Sequence, residues 1–174
     1  MRAIWIAILC AMLAACASTS EQSPAGVEDR KGAEARGVEA GGPSGVGLTD
    51  AQRSALTNPS SPLSKRSIYY DFDKYDVKPE YRPLVEAHAQ FLRDNTGLKI
   101  LIQGNTDERG SREYNIALGQ RRADGVKKMM ILLGVSEVQI EAVSLGEEKP
   151  RAQGSTEDAY AQNRRSDILY PGEY

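Results

Sequence analysis

Residues 98–104 read LKILIQG, and this run restricts the fold more than any other stretch. Its near-continuous apolar character reads as a strand buried on both faces. A polar turn follows at once, GNTDERGSREYN (104–115). A second helical pattern then runs from about Arg112 to Leu133 and stops at Gly134. Upstream, RSIYYDF alternates and carries aromatics as a strand does. KPEYRPLVEAHAQFLRDN reads as the first helix, with Pro79 near its first turn and Asn95 and Gly97 at its close. Its apolar stripe is Tyr81, Leu84, Val85, His88, Phe91 and Leu92. Downstream, QIEAVSLG is a third strand, TEDAYAQNRR a short helix with Thr156 as N-cap, and SDILY the last strand. The order βαβαβαβ predicts an α/β fold, an α+β sandwich with helices packed on a small mixed sheet.

The first sixteen residues belong to a different problem. MRAIWIAILCAMLAAC opens with Arg2 and then runs apolar from Ala3 to Ala15, too short for a mature membrane span and right for a secretory signal peptide, residues 1–15. Its last four residues, LAAC, resemble the lipobox of bacterial lipoproteins. That resemblance implies cleavage before Cys16, with lipid on the Cys16 thiol and amino end. Ala17, where an Asp would favour the inner membrane, implies lodging in the outer membrane. Two or more acyl chains anchor stably because each buried CH₂ contributes roughly 0.8 kcal/mol. Residues 16–62 are rich in Gly, Ala, Ser, Pro and Glu and read as a flexible linker, TDAQRSAL (49–56) alone carrying a helix turn. As a coil it would average roughly 40 Å end to end, and on the order of 150 Å when stretched. The folded domain is then 63–174.

Composition narrows the chemistry. Lys and Arg number 22 against 24 Asp and Glu, a net charge of −2, so no basic face for nucleic acid is implied. Both cysteines, Cys10 and Cys16, precede the domain, which leaves it without a disulfide or a thiolate zinc site. A single His88 removes any His-cluster metal site, and no cofactor is implied. DFDKYD (Asp71, Asp73, Asp76) has the acid density of a calcium loop but lacks its Gly and closing Glu. An enzyme is not implied either: His88 lies on a helix stripe, and Ser111 and Ser144 have no evident base.

The second helix carries the most informative charge. Its predicted inward positions are Tyr114, Ala117, Leu118, Val126, Met129, Met130 and Leu133, and steps of four from Tyr114 reach Leu118, Arg122 and Val126. Arg122 thus falls on or beside the apolar stripe. Its stem can pack over the sheet edge while the head reaches water. It can instead pair internally with Asp107 or Asp71. The third reading sets Arg122 against Asp107 and Asp71 across a crevice beyond the strand ends, where the Arg would take a ligand carboxylate and the Asp residues an ammonium. Glu108, Arg109, Arg112 and Glu113 read as solvated rim charges.

Taken together, IYYDFDKYDV, EAHAQFLRDN, DERG, EYN, RRA, VSLGEEKP and AYAQNRR resemble the OmpA-like carboxy-terminal domain family over about residues 66–170. The resemblance implies non-covalent binding of the diaminopimelate-bearing stem peptide of peptidoglycan, whose side chain ends in an amino-acid head. Carried over residue by residue, it implies Asp107 for the ammonium and Arg122 for the carboxylate. Tyr70 and Asp71 would be the aromatic–Asp pair at the end of the first strand, and Leu118 a wall. Asn163, Arg164 and Arg165 would lie at or behind the site. Asn105 stands where the family pattern GHxD has His, and Tyr70 where Phe is common. For lipid-anchored members the resemblance also implies work with the Tol proteins, TolB and TolA, in envelope constriction at division.

Overall fold

The computed structural model describes residues 47–174; the signal segment, Cys16 and most of the linker lie outside the described residues. The elements are α1 (Asp50–Thr57), β1 (Ser67–Tyr69), α2 (Arg82–Asp94), β2 (Ile100–Asn105), α3 (Arg112–Leu132), β3 (Ile140–Gly146), α4 (Glu157–Asn163) and β4 (Arg165–Leu169). The four strands form one mixed sheet in the order β1-β4-β2-β3. β2 and β3 are parallel, as a crossover through α3 requires, while β4 runs antiparallel to both β1 and β2. The expected βαβαβαβ order on a small mixed sheet is therefore the observed one.

Strand alternation sends Ile68, Ile100, Ile102, Ile140 and Ile168 to one face, where Val85, Ala89 and Leu92 of α2 and Ala123, Val126 and Met130 of α3 cover them. The other face is only partly covered, and Leu101 and Gln103 of β2 are half-buried there. LKILIQG is thus buried fully on one side and partly on the other, because the two long helices share a face.

The folded body takes in more than 63–174. Thr49 and Gln52 form a capping box at the start of α1, and Leu56 enters the core at 2% exposure. Gln52 Nε2 donates to Asn95 Oδ1 at 2.7 Å, tying α1 to the end of α2. Leu56, Leu48 packed beside it and the Asn95 contact dock the eight-residue helix whose first turn the sequence carries at 49–56.

α3 differs from expectation in rotation. Tyr114 and Ala117 face outward, and the buried residues are Asn115, Leu118, Gly119, Arg122, Ala123, Val126 and Met130. Gly119 fixes this setting. A Cβ placed on Gly104 of β2 would lie 1.8 Å from the Gly119 carbonyl oxygen, so helix and strand touch backbone to backbone. Gly104→Ala is expected to cost about 3 kcal/mol or more, read as a lowered urea midpoint, because the clash is with main chain that cannot rotate away.

His88 is fully buried. Its Nδ1 meets the Tyr170 hydroxyl at 2.8 Å and its Nε2 the Lys65 carbonyl at 2.9 Å. Burial pushes its pKa down from 6.5 to about 4. Between those values the unfolded chain binds a proton that the folded chain refuses. His88 therefore costs nothing above pH 6.5, and stability falls as pH drops from there toward 4. The expected loss across that window is about 3 kcal/mol, and His88→Gln should flatten this part of the stability–pH curve.

Candidate functional site

Three sequence-local devices build the site. β2 ends at Asn105, and Asp107 follows in a turn closed by the Arg109 N–H, which donates to Asp107 Oδ1 at 3.1 Å. Gly110, at φ +112°, turns the chain into α3, whose first turn is capped by Ser111 Oγ accepting from Tyr114 N at 3.2 Å. On the opposite rim, β1 gives way after Tyr69 to a loop in which Asp73 holds the left-handed conformation, φ +58°. Between these rims lies a cavity of about 190 Å³, lined by Phe72, Asp73, Thr106, Asp107, Arg109, Gly110, Tyr114, Asn115, Leu118, Arg122 and Arg164. That is room for a group of amino-acid size, below the roughly 300 Å³ of drug-sized pockets.

Arg122 is 0% exposed. Its Nε donates to the Lys74 carbonyl at 2.8 Å and its Nη1 to the Asn105 carbonyl at 2.7 Å, with the Asp71 carbonyl 3.5 Å from Nη2. The guanidinium carbon also sits 4.8 Å from the centre of the Tyr70 ring. No carboxylate contacts it within ion-pair range: Arg122 is absent from every salt bridge among the described residues. Desolvation pushes its pKa down to about 10, which leaves it charged at neutral pH. Of its five N–H donors, two remain without a partner. Arg122 therefore neither reaches bulk water nor pairs internally with Asp71 or Asp107.

Asp107 is the reverse case, a carboxylate with every acceptor position taken. Arg109 Nη2 donates to Oδ2 at 2.6 Å and Arg109 Nε to Oδ1 at 3.3 Å, and Arg164 Nη1 donates to Oδ2 at 3.1 Å. Burial pushes the Asp107 carboxyl up, but the hydrogen bonds from Arg109 and Arg164 outweigh it and hold the pKa below the ordinary value. Arg164 is itself fixed by Glu157 of α4 at 2.7 Å and the Tyr70 carbonyl at 3.1 Å. Arg109 also faces Glu157 at 3.3 Å and lies between the rings of Phe72 and Tyr160, 4.3 and 4.2 Å from their centres. Charge on the pocket walls comes from Asp73 and Asp107 against Arg109, Arg122 and Arg164, with Glu157 behind the walls pairing with Arg109 and Arg164.

The other predicted residues fall as follows. Leu118 and Arg164 line the cavity. Tyr70 lies beneath it, 2% exposed, with its hydroxyl 3.0 Å from Ser166 Oγ; burial pushes its pKa up to about 12. Asn105 is buried behind Arg122, to which it offers its main-chain carbonyl, while its side-chain Oδ1 has no partner. Asp71 is not a wall. Its carboxylate is exposed and paired with Lys78 at 2.7 Å, and only its carbonyl faces Arg122. The lining residues from this loop are Phe72 and Asp73, because the left-handed turn at Asp73 re-aims the chain after the strand ends. Arg165 and Asn163 lie outside the cavity lining and hold the segment after β3 instead: Arg165 Nε donates to Asp167 at 2.8 Å and its Nη2 to the Lys149 carbonyl at 3.3 Å, and Asn163 Oδ1 accepts from the Arg151 N–H at 2.7 Å. Arg109, read as a rim charge, is a wall. A guanidinium two residues after a turn Asp was the available signal.

No hydrolytic set assembles around this pocket. Both ring nitrogens of His88 are engaged in the core, Ser111 caps α3, and Ser144 Oγ accepts from Gly146 N at 3.1 Å. Among the described residues, no three His, Cys, Asp or Glu side chains converge as metal ligands would. Replacing Arg109 with Ala is expected to raise the Asp107 pKa, since burial remains and the chief stabilising donors go. Carboxyl-carbon NMR titration would read the shift.

The OmpA family model matches residues 69–164. A peptidoglycan-associated lipoprotein of Pasteurella multocida is 50% identical over 104 residues, 60% of this chain and 69% of that protein. One of Pseudomonas aeruginosa is 39% identical over 143 residues, 79% of this chain and 84% of that protein. Among solved structures, the peptidoglycan-associated lipoprotein of Burkholderia pseudomallei is 56% identical, with a TM-score of 0.66, covering 67% of this chain and 98% of that one.

Proposed function

This chain belongs to the OmpA family, and from that premise we propose that it binds the diaminopimelate stem peptide of peptidoglycan without covalent chemistry. The observation that carries the proposal is Arg122, a fully buried guanidinium with main-chain acceptors, two free donors and no carboxylate. A cation held out of water in this way is destabilising unless an anion completes it. The amino-acid head at the end of a diaminopimelate side chain brings that anion, in the flat two-oxygen form a guanidinium fork accepts.

The same head carries an ammonium about one atom away from its carboxylate, and acids stand on the walls to receive it. Asp107 faces it from the turn after β2 and Asp73 from the loop after β1. Asp73 is the more open acceptor, bonded only to the Tyr114 hydroxyl, while Asp107 is shared with Arg109 and Arg164. Arg164 positions Asp107, Leu118 packs the methylene chain, and Tyr70 and Asn105 hold Arg122 from behind. A larger cleft of about 570 Å³ beside β1 is less suited: its charges are Lys65, Arg66 and Glu80, and Arg66 is already paired with Glu173.

Lipid on Cys16 would place this domain in the periplasm on a tether from the outer membrane, joining that membrane to the wall. Among the described residues, no helix is long and apolar enough to cross a membrane. Joint work with the Tol proteins at division rests on the family resemblance.

Residues 17–174 are expected to sediment with purified sacculi. Asp107→Ala and Arg122→Ala, each checked for folding by circular dichroism, should each weaken binding by about 2 kcal/mol, roughly thirtyfold. Wild-type retention by both folded variants would place the ligand elsewhere, and steady release of soluble wall fragments would make the protein a hydrolase.

A further inference from the structure

An amino-acid head fills the cavity but leaves an aromatic surface beside it without a role. Tyr114 lines the cavity and is 43% exposed, and Tyr75, in the loop after β1, is 45% exposed. Arg121 lies between them, its guanidinium carbon 5.3 Å from the Tyr75 ring centre and 6.0 Å from that of Tyr114. Being next to Arg122 in a helix, Arg121 points about 100° away from it, so one stays outside while the other is buried. Arg121 is in no salt bridge among the described residues. The surface is not a loose end. The Arg122 Nε donates to the Lys74 carbonyl and the Tyr114 hydroxyl to Asp73, so the loop is fastened to α3 at the two residues that precede Tyr75.

We propose that Tyr114, Arg121 and Tyr75 form a shelf for a sugar ring of the glycan strand, an assignment that rests on the stem-peptide reading of the pocket. The negative π-face of a tyrosine attracts the weakly positive C–H face of a pyranose. The guanidinium donors of Arg121, engaged by no carboxylate, suit the hydroxyl and acyl oxygens that rim such a ring. Reach also fits. Two amino acids separate diaminopimelate from the muramic acid, and at roughly 3.5 Å per residue they span a distance on the order of 10 Å. The shelf begins at Tyr114, in the cavity wall itself.

The test uses residues 17–174 and two soluble ligands: the tripeptide ending in diaminopimelate, and the same tripeptide on its disaccharide. By calorimetry the sugar-bearing ligand is expected to bind roughly tenfold more tightly. Tyr75→Ser and Arg121→Ala, both on exposed side chains outside the cavity, should each reduce that advantage and leave the tripeptide affinity unchanged. Equal affinity of the two ligands for the unmodified chain overturns the shelf and spares the pocket. An advantage that survives both substitutions overturns it as well. Failure of both ligands to bind sinks the pocket and the shelf together.

Discussion

Arg122 is the interaction on which the site depends. Moving a guanidinium out of water costs several kcal/mol, and here main-chain carbonyls from two segments offset part of that cost. Hydrogen bonds to a charged group are the stronger kind, about 1.5–3 kcal/mol each. They come from Asn105 at the end of β2 and from Lys74 in the loop after β1, with Asp71 more distant. One side chain therefore sets the spacing of both rims of the cavity. Its immobility follows from geometry, since a planar fork bonded on different edges cannot turn without breaking one of its bonds.

That side chain could not reach its partners without the glycine contact three residues earlier on the same helix. Gly119 and Gly104 let α3 lie against β2 with no side chain between them. One turn on, Arg122 lies over Asn105, the residue after Gly104. The fold and the site therefore share one constraint. A larger residue at either glycine would lift the helix and withdraw the guanidinium from the carbonyls that hold it. The strain at Asp73 belongs to the same arrangement. A non-glycine residue at φ +58° is held there by its surroundings, and the loop it shapes carries both Phe72 and Asp73 into the cavity.

Much of this was legible in the sequence, and what was not has a physical reason. Element order followed from alternation and helix period, and Arg122 was visible as a charge in an apolar stripe. The rotation of α3 was not, because its buried face near the site is built from Asn115, Gly119 and Arg122, none of which carries an apolar signal. Tyr114 supplied that signal instead and faces out. Asp71 was placed at the rim by continuing the alternation of β1, but the strand ends at Tyr69 and the left-handed residue re-aims the chain. Arg109 read as a solvated turn charge because its partners, Phe72, Tyr160 and Glu157, come from loops and helices far along the chain. The helix turn at 49–56 was legible and is α1, but its docking was not, because Leu56 is one apolar residue in a Gly- and Pro-rich stretch.

The two halves of the pocket are prepared differently, and the difference bears on what it can select. The cationic half is fixed: Arg122 is held by main-chain carbonyls and keeps two N–H donors without a partner. The acidic half is occupied: Arg109 sits on Asp107 at 2.6 Å between the rings of Phe72 and Tyr160, one-third exposed. A simple cation must displace Arg109 and gains no contact with Arg122. A simple anion satisfies Arg122 but brings a negative charge beside Asp107 and Asp73. Only a group carrying both charges on adjacent atoms meets Arg122 and relieves the acids at once. On the proposed reading, Arg122 set against Asp73 and Asp107 on the same walls favours zwitterions by penalising either charge alone, a form of discrimination that needs no close fit to the rest of the ligand.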